Sequence, residues 1–173
     1  VNEMLKLKHE YHYTLLCSYE GPLTELLKEN KINSLTIPSL VRNISLINDF
    51  KSLIYMVFLL KKEQFNIVHT HSSKTGLLGR VAARIAGVKK IIHTVHGFAF
   101  PAAKTKTQFY IFFMMEYIAR FFTDYLIVLN NSDYNYAVDK LGYKPSKVLI
   151  IPNGVDTDFF KPQVQNNDFL TFS

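Results

Sequence analysis

Residues 67–100 read IVHTHSSKTGLLGRVAARIAGVKKIIHTVHGFAF. The stretch opens on a short apolar run, Ile67–Thr70, followed by His71-Ser72-Ser73. Ser72 or Ser73 can cap a helix whose stripe is Leu77, Leu78, Val81, Ala82 and Ile85, and Gly87 fits the C′ position that stops it. Ile91–Val95 is a second apolar run of strand length. Strand, helix and strand in succession, with polar residues at the strand exits, predict a βαβ unit with parallel strands.

Outward from that unit the alternation continues. Upstream, Tyr11–Cys17 and Ser34–Ile37 read as strands. A helix from Pro22 to about Asn30 lies between them, and a longer one follows, which Asn48 or Asp49 can cap. Downstream come a helix over Phe109–Phe122, a strand over Tyr125–Leu129 and a helix from Asn131 or Ser132 to Gly142. A last strand, Val148–Ile151, is closed by Pro152-Asn153-Gly154. Val1, Met4 and Leu5 read as the last turns of an earlier helix. The strands are continuous apolar runs, as burial on both faces requires. The predicted class is α/β: one Rossmann-like domain with a doubly wound parallel sheet.

With 173 residues and 48% hydrophobic composition, the chain can bury one sizeable core. The net charge of +6 favours anionic partners, but no five basic residues run together, so no nucleic-acid tail is expected. Cys17 is the only cysteine, so no internal disulfide is possible. Val1–Lys8 is too polar for a secretory signal. Asp49–Leu60 and Phe109–Phe122 are rich in large apolar residues, yet both fall short of the ~20 residues that a spanning helix needs. They read as buried or interfacial helices of a cytoplasmic protein. Phe109–Phe122 is apolar almost all round. That fits either internal packing or contact with a membrane leaflet, with Lys104 and Lys106 near anionic headgroups.

Open α/β sheets bind ligands beyond the carboxyl ends of their strands. Candidate residues therefore follow Cys17, Thr70, Val95, Leu129 and Ile151. His96 leaves a buried strand beside Gly97, where an imidazole can meet a substrate hydroxyl or a phosphate. A structural histidine held by a neighbouring loop is the alternative. His69 and His71 flank Thr70; the expectation is one on each face, or one at the tip, with His71 nearer the site. Two histidines without a carboxylate or a third ligand give poor support for a metal. Ser72, Ser73 and Lys74 open a helix, whose free N–H groups favour anions, although plain N-capping explains the serines equally. Arg80 and Arg84 read as solvated or paired surface residues. Neither a Walker loop nor a G-x-G-x-x-G is present.

Taken together, these stretches resemble the N-terminal domain of family 4 glycosyltransferases, in particular those acting on capsular and exopolysaccharide precursors. The resemblance rests on Val41-Arg42-Asn43-Ile44-Ser45, on the run from Ile67 through Phe100, on Thr123-Asp124-Tyr125-Leu126-Ile127-Val128, and on IPNGVDTDFF from Ile151. It implies the N-terminal half of the two-Rossmann-domain GT-B fold over residues 1–160, with residues 161–173 a linker toward a C-terminal donor domain. It implies retaining transfer without a metal or resident cofactor, from a nucleotide sugar held mainly by that other domain. The acceptor is a saccharide, or one linked to polyprenyl diphosphate, and peripheral contact with the inner membrane leaflet follows. His96 matches the histidine near the donor sugar and is the catalytic candidate. His71, Ser72, Ser73, Lys74, Gly76 and Gly97 match the acceptor and phosphate side. Asn153, Gly154 and Asp156 match the stretch leading into the hinge.

Two features of the family are not found. The opening strand, normally central in the sheet, would precede Val1, and no Glu-x7-Glu donor signature occurs. The expectation is a chain without transferase activity by itself. A subunit that needs a separate donor-binding chain, a fragment of a broken gene, or a relative of nucleotide-sugar 2-epimerases are the alternatives.

Overall fold

The computed structural model describes residues 2–41 and 43–154. Among them helices and strands alternate: α1 (Asn2–Leu7), β1 (Thr14–Cys17), α2 (Pro22–Glu29), β2 (Asn33–Thr36), α3 (Leu46–Glu63), β3 (Ile67–His71), α4 (Ser73–Ala86), β4 (Lys90–Val95), α5 (Lys106–Ala119), β5 (Tyr125–Val128), α6 (Asn131–Asn135) and β6 (Val148–Ile150). Every strand pair is parallel. The linker expected over residues 161–173 lies outside the described residues.

The expected single sheet is in two pieces. β1 pairs with β2, and the other strands run in the order β3-β4-β5-β6. No ladder joins β1 to β3 among the described residues. The break falls mid-sheet, where the resemblance implies a further central strand.

Covering of the four-stranded sheet is also one-sided. Ile91, Val95, Leu126, Val128 and Val148 are buried and join two core clusters, one with α3 and α4, the other with Phe98, Phe100 and the chain around α6. On the opposite face Ile67, Tyr125 and Leu149 remain exposed. The double winding expected from the apolar runs is therefore incomplete at these positions.

Helix starts are set by side chains that the sequence leaves ambiguous. α3 begins at Leu46 with Ser45 at the cap, upstream of the expected Asn48 or Asp49. Asp49 instead lies in the first turn and accepts the Ser45 N–H at 3.0 Å. α6 is capped by Asn130, whose Oδ1 accepts the Asp133 N–H at 2.9 Å, rather than by Asn131 or Ser132. α4 follows the prediction closely: Ser72 is its cap residue, and Gly87 ends it at φ 81°.

α4 lies close on the sheet because two of its residues lack a side chain. A Cβ at Gly76 would stand 2.7 Å from the His93 ring, and one at Gly79 would stand 2.9 Å from Thr70 Cγ2. One turn on from Gly76, Arg80 is fully buried, not the surface residue expected from its spacing to Arg84. Its Nη2 donates to Glu116 Oε2 of α5 at 3.0 Å and its Nε to the Gly76 carbonyl at 3.0 Å. Arg84 does behave as expected, pairing with Asp124 at 2.9 Å near the surface. α5 divides its apolar residues between two sides. Phe112, Phe113 and Tyr117 pack on the core, while Tyr110, Ile111, Met114 and Ile118 are exposed. No helix among the described residues is long and apolar enough to cross a membrane.

Candidate functional site

Parallel pairing of β3 with β4 sets His71 opposite Thr94, so the two strand exits lie side by side. His71 Nδ1 stands 3.2 Å from Nε2 of His96, the first residue after β4, and the two rings are stacked. One nitrogen must donate and the other accept, so the pair holds together while at least one ring is neutral. Gly97 follows at φ 105°, a left-handed conformation that glycine adopts without strain. From there the Phe98 N–H reaches Asp133 Oδ1 of α6 at 3.5 Å, which ties the loop after β4 to the body of the domain.

His69 lies behind this pair. Its ring centroid is 4.4 Å from that of His71, and its Nε2 is 2.7 Å from Thr94 Oγ1. His69 and His71 therefore share one face rather than taking one each, because residues i and i+2 of a strand point the same way, and His71, the last residue of β3, is the one at the tip. His93 is on the other face, buried under Gly76, with Nδ1 2.8 Å from Thr70 Oγ1.

The electrostatics follow from this crowding. Burial, followed by the charges of His69 and His96, lowers the His71 pKa to about 4, although the Glu3 carboxylate opposes the shift. The His71 ring is partly open to water, which softens the effect of burial but not its direction. Burial and then the Arg80 guanidinium push His93 down to about 2. Burial and His96 lower His69 as well. At neutral pH, His69, His71 and His93 are uncharged hydrogen-bonding groups.

The α4 N-terminus stands immediately beyond His71. Ser72 has φ 63° and ψ 149°, a region costing about 1–3 kcal/mol for a residue with a side chain. Its hydroxyl bonds to Thr75 Oγ1 instead of capping a backbone N–H. The first-turn amides thus lack a side-chain cap from Ser72 and are oriented to receive an anion. Ser73 and Gly76 belong to the same turn region. Lys74 does not share this role in the geometry. Its Nζ donates to the carbonyls of Val41 and Asn43 and pairs with Asp49 at 2.5 Å. Asp49 Oδ1 receives no well-directed hydrogen bond, so the contact is held by charge. The lysine clamps the 41–43 loop against α3 and α4, and hydrogen-bonds to neither histidine.

Asn153 and Gly154 leave the end of β6, whose ladder is extended by Ile151 N–H to Val128 O at 2.9 Å. They share the C-terminal edge with the histidines, but β6 is two strands from β4, about 10 Å away at ordinary strand spacing. Asp156 lies outside the described residues. A cavity of about 310 Å³ lined by Thr14, Asn33, Glu63 and Phe65 is at the opposite edge, where open sheets do not place their sites. Among the described residues no three His, Cys, Asp or Glu gather as metal ligands.

Residues 1–159 match the model of "Glycosyltransferase Family 4". The chain belongs to glycosyltransferase family 4. It is 46% identical over 159 residues to the UDP-Gal:alpha-D-GlcNAc-diphosphoundecaprenol alpha-1,3-galactosyltransferase of Escherichia coli, covering 92% of this chain and 41% of that one. It is 32% identical over 130 residues to the capsular polysaccharide biosynthesis glycosyltransferase CapM of Staphylococcus aureus, covering 73% and 33%. Among solved structures, a glycosyltransferase from Rickettsia africae superposes with a TM-score of 0.66 at 18% identity, over 94% of this chain and 40% of that one. This family 4 chain thus spans about two fifths of the length of the galactosyltransferase relative, and the GT-B half expected from the sequence is the fold observed.

Sequence reasoning passed over three residues that support this edge from within the fold. His93 and Asp133 were legible only as members of longer runs, since nothing in the spacing says which face each takes. Glu116 carried a usable signal: a carboxylate inside an apolar helix requires a cation partner, and Arg80 supplies it.

Proposed function

We propose that this chain forms the acceptor-side wall of a retaining glycosyltransferase in cell-surface polysaccharide synthesis. It works with a nucleotide sugar as co-substrate and a diphosphate-linked saccharide acceptor, and with no resident metal or cofactor. The observation that carries the reading is the His71–His96 pair beside the uncapped first turn of α4. It joins a pair of imidazoles to amides that favour a diphosphate. The 46% identity to an enzyme named for a diphosphoundecaprenol substrate supports the same acceptor class.

Each group has a role. His96 lies closest to the reacting sugar, where it hydrogen-bonds a hydroxyl and steadies the donor for transfer. His71 fixes the His96 ring and its tautomer. The amides of Ser73 and the next residues, with the Ser72 hydroxyl, bind the acceptor diphosphate. Gly76 and Gly97 permit the close backbone approach. Lys74, paired with Asp49, holds the rim loop. Asn153, Gly154 and Asp156 lead to a second half that binds the nucleotide sugar, carried on a longer chain or on a partner. A lipid-linked acceptor puts the work at the inner face of the cell membrane.

Transfer requires donor and acceptor together in a cleft that excludes water. The 173-residue chain is therefore expected to give no turnover of UDP-galactose with a short-chain polyprenyl-diphosphate GlcNAc acceptor. Sustained product formation by this chain, measured with radiolabelled donor, contradicts the division of labour.

A further inference from the structure

The outer side of α5 carries no charge. Tyr110, Ile111, Met114, Ile118 and, in the turn Arg120–Phe122 that continues the helix, Phe121 are 63%, 43%, 46%, 45% and 63% exposed. At 100° per residue they fall within roughly 100° of arc. Thr107, Ile111, Met114, Ile118 and Phe121 follow one another at alternating intervals of four and three residues, the spacing of a coiled-coil seam. The positions beside such a seam ordinarily hold charges that set partner and direction. Here they are Gln108, Tyr110, Met115, Tyr117 and Phe122.

The other side of the helix is committed within the domain. Phe112 and Phe113 pack on the core, and Glu116 is paired with Arg80. Arg120 is turned away from the seam: its guanidinium donates to the Leu141 and Gly142 carbonyls and lies 4.1 Å from the centre of the Tyr117 ring.

We propose that α5 is the interface of a two-fold dimer of this chain, pairing antiparallel with the same helix of a second copy. Charge favours that occupant and that direction. Lys104 and Lys106 are exposed at the amino end of α5, which has no acidic residue in its first turn and no basic residue in its last. Antiparallel pairing carries these lysines toward the carboxyl end of the facing helix, the negative end of its dipole, whereas parallel pairing brings lysine to lysine. Area is sufficient. At roughly 200 Å² per side chain the exposed fractions amount to about 500 Å² on each copy. A pair then buries about 1,000 Å², the size that a specific interface must reach. A lipid surface fits less well, since in-plane helices carry lysines along their polar face and α5 has none between Lys106 and Arg120. α3 also exposes Phe50 and Phe58, but Lys51, Lys61 and Lys62 stand toward its two ends, and antiparallel self-pairing brings them together. In the register that sets each seam isoleucine of α5 on a larger seam residue, Met114 meets Ile118 of the second copy, and Ile111 meets Phe121. The inference goes beyond the transferase reading and uses none of the residues at the His71–His96 edge.

The test is sedimentation equilibrium of the 173-residue chain over a range of concentrations. The expected result is a monomer–dimer equilibrium that Met114→Lys weakens at least about tenfold, because each copy then presents an ammonium group to the apolar seam. Phe50→Ser/Phe58→Ser leaves it unchanged. These side chains are exposed, and an unchanged circular dichroism spectrum verifies folding. Direction is read by cross-linking in a Cys17→Ala background. An equimolar mixture of Met114→Cys and Ile118→Cys in a glutathione buffer gives the mixed disulfide-linked dimer in excess over either self-linked one. A chain that is monomeric at every concentration, a dimer untouched by Met114→Lys or dispersed by the α3 variant, or self-linked dimers in excess overturns the proposal. So does a monomer that floats with phosphatidylglycerol vesicles and loses that binding in Met114→Lys, which assigns the face to lipid.

Discussion

His71 and His96 occupy strand exits 25 residues apart in the chain and meet at 3.2 Å. Their contact depends on protonation, as does the burial of His93. A lowered histidine pKa means that the unfolded chain binds more protons than the folded one between the two values. Stability is then complete above the ordinary value of 6.5 and is lost as pH falls below it, down to about 4 for His71 and about 2 for His93. The expected outcome is a thermal midpoint that drops steadily from pH 7 to pH 4.5. His93→Gln should lower the midpoint at pH 7 and flatten the slope, because its site no longer titrates. Parallel slopes for the two proteins, measured by circular dichroism melts, contradict this account of the pH dependence.

At the scale of elements, α4 organises the site because of what it lacks and what it buries. Gly76 and Gly79 let the helix lie on Thr70 and His93, and Arg80 locks it to α5 through Glu116. Removing one partner of a buried ion pair strands the other charge and costs about 3–5 kcal/mol. Glu116→Gln should therefore lower the thermal midpoint by about 10 °C. Arg80→Met/Glu116→Leu, which removes both charges, should recover most of the loss. A Glu116→Gln protein that melts with the wild type contradicts a structural role for the pair. Much of this level was legible in the sequence. The βαβ unit, the Gly87 stop and all six strands emerged from apolar periodicity, within a few residues of their observed ends. The starts of α3 and α6 were not, since Ser45, Asn48 and Asp49 all have capping side chains and only tertiary contacts choose among them. The burial of Arg80 was hidden for a similar reason. An i, i+4 arginine pair looks amphipathic until the neighbouring helix brings a carboxylate.

For the whole molecule, periodicity gave the class and left the assembly open. Apolar runs distinguish strand from helix, but cannot say that the ladder stops between β1 and β3, because hydrogen-bond partners at that edge are not a property of either strand. Nor do they say which face remains uncovered: Ile67, Tyr125 and Leu149 read as core residues. The site was legible to the extent that strand exits are predictable in a parallel sheet. The structure brings His96, His71 and the α4 turn to one edge, as their places after β4 and β3 lead one to expect, while Lys74 clamps a loop. What unifies the fold and the proposed function is the edge at which β3, β4 and α4 converge.

The most direct test is ¹⁵N-resolved NMR of the chain titrated with a short-chain polyprenyl-diphosphate GlcNAc analogue and, separately, with UDP-galactose. The account predicts saturable shifts for the analogue in the amides of Ser72–Gly76, His96 and Gly97, weakened by His71→Ala, and little response to the nucleotide sugar. Shifts confined to other residues, or a response of that edge to UDP-galactose alone, would contradict the assignment of this edge to the acceptor.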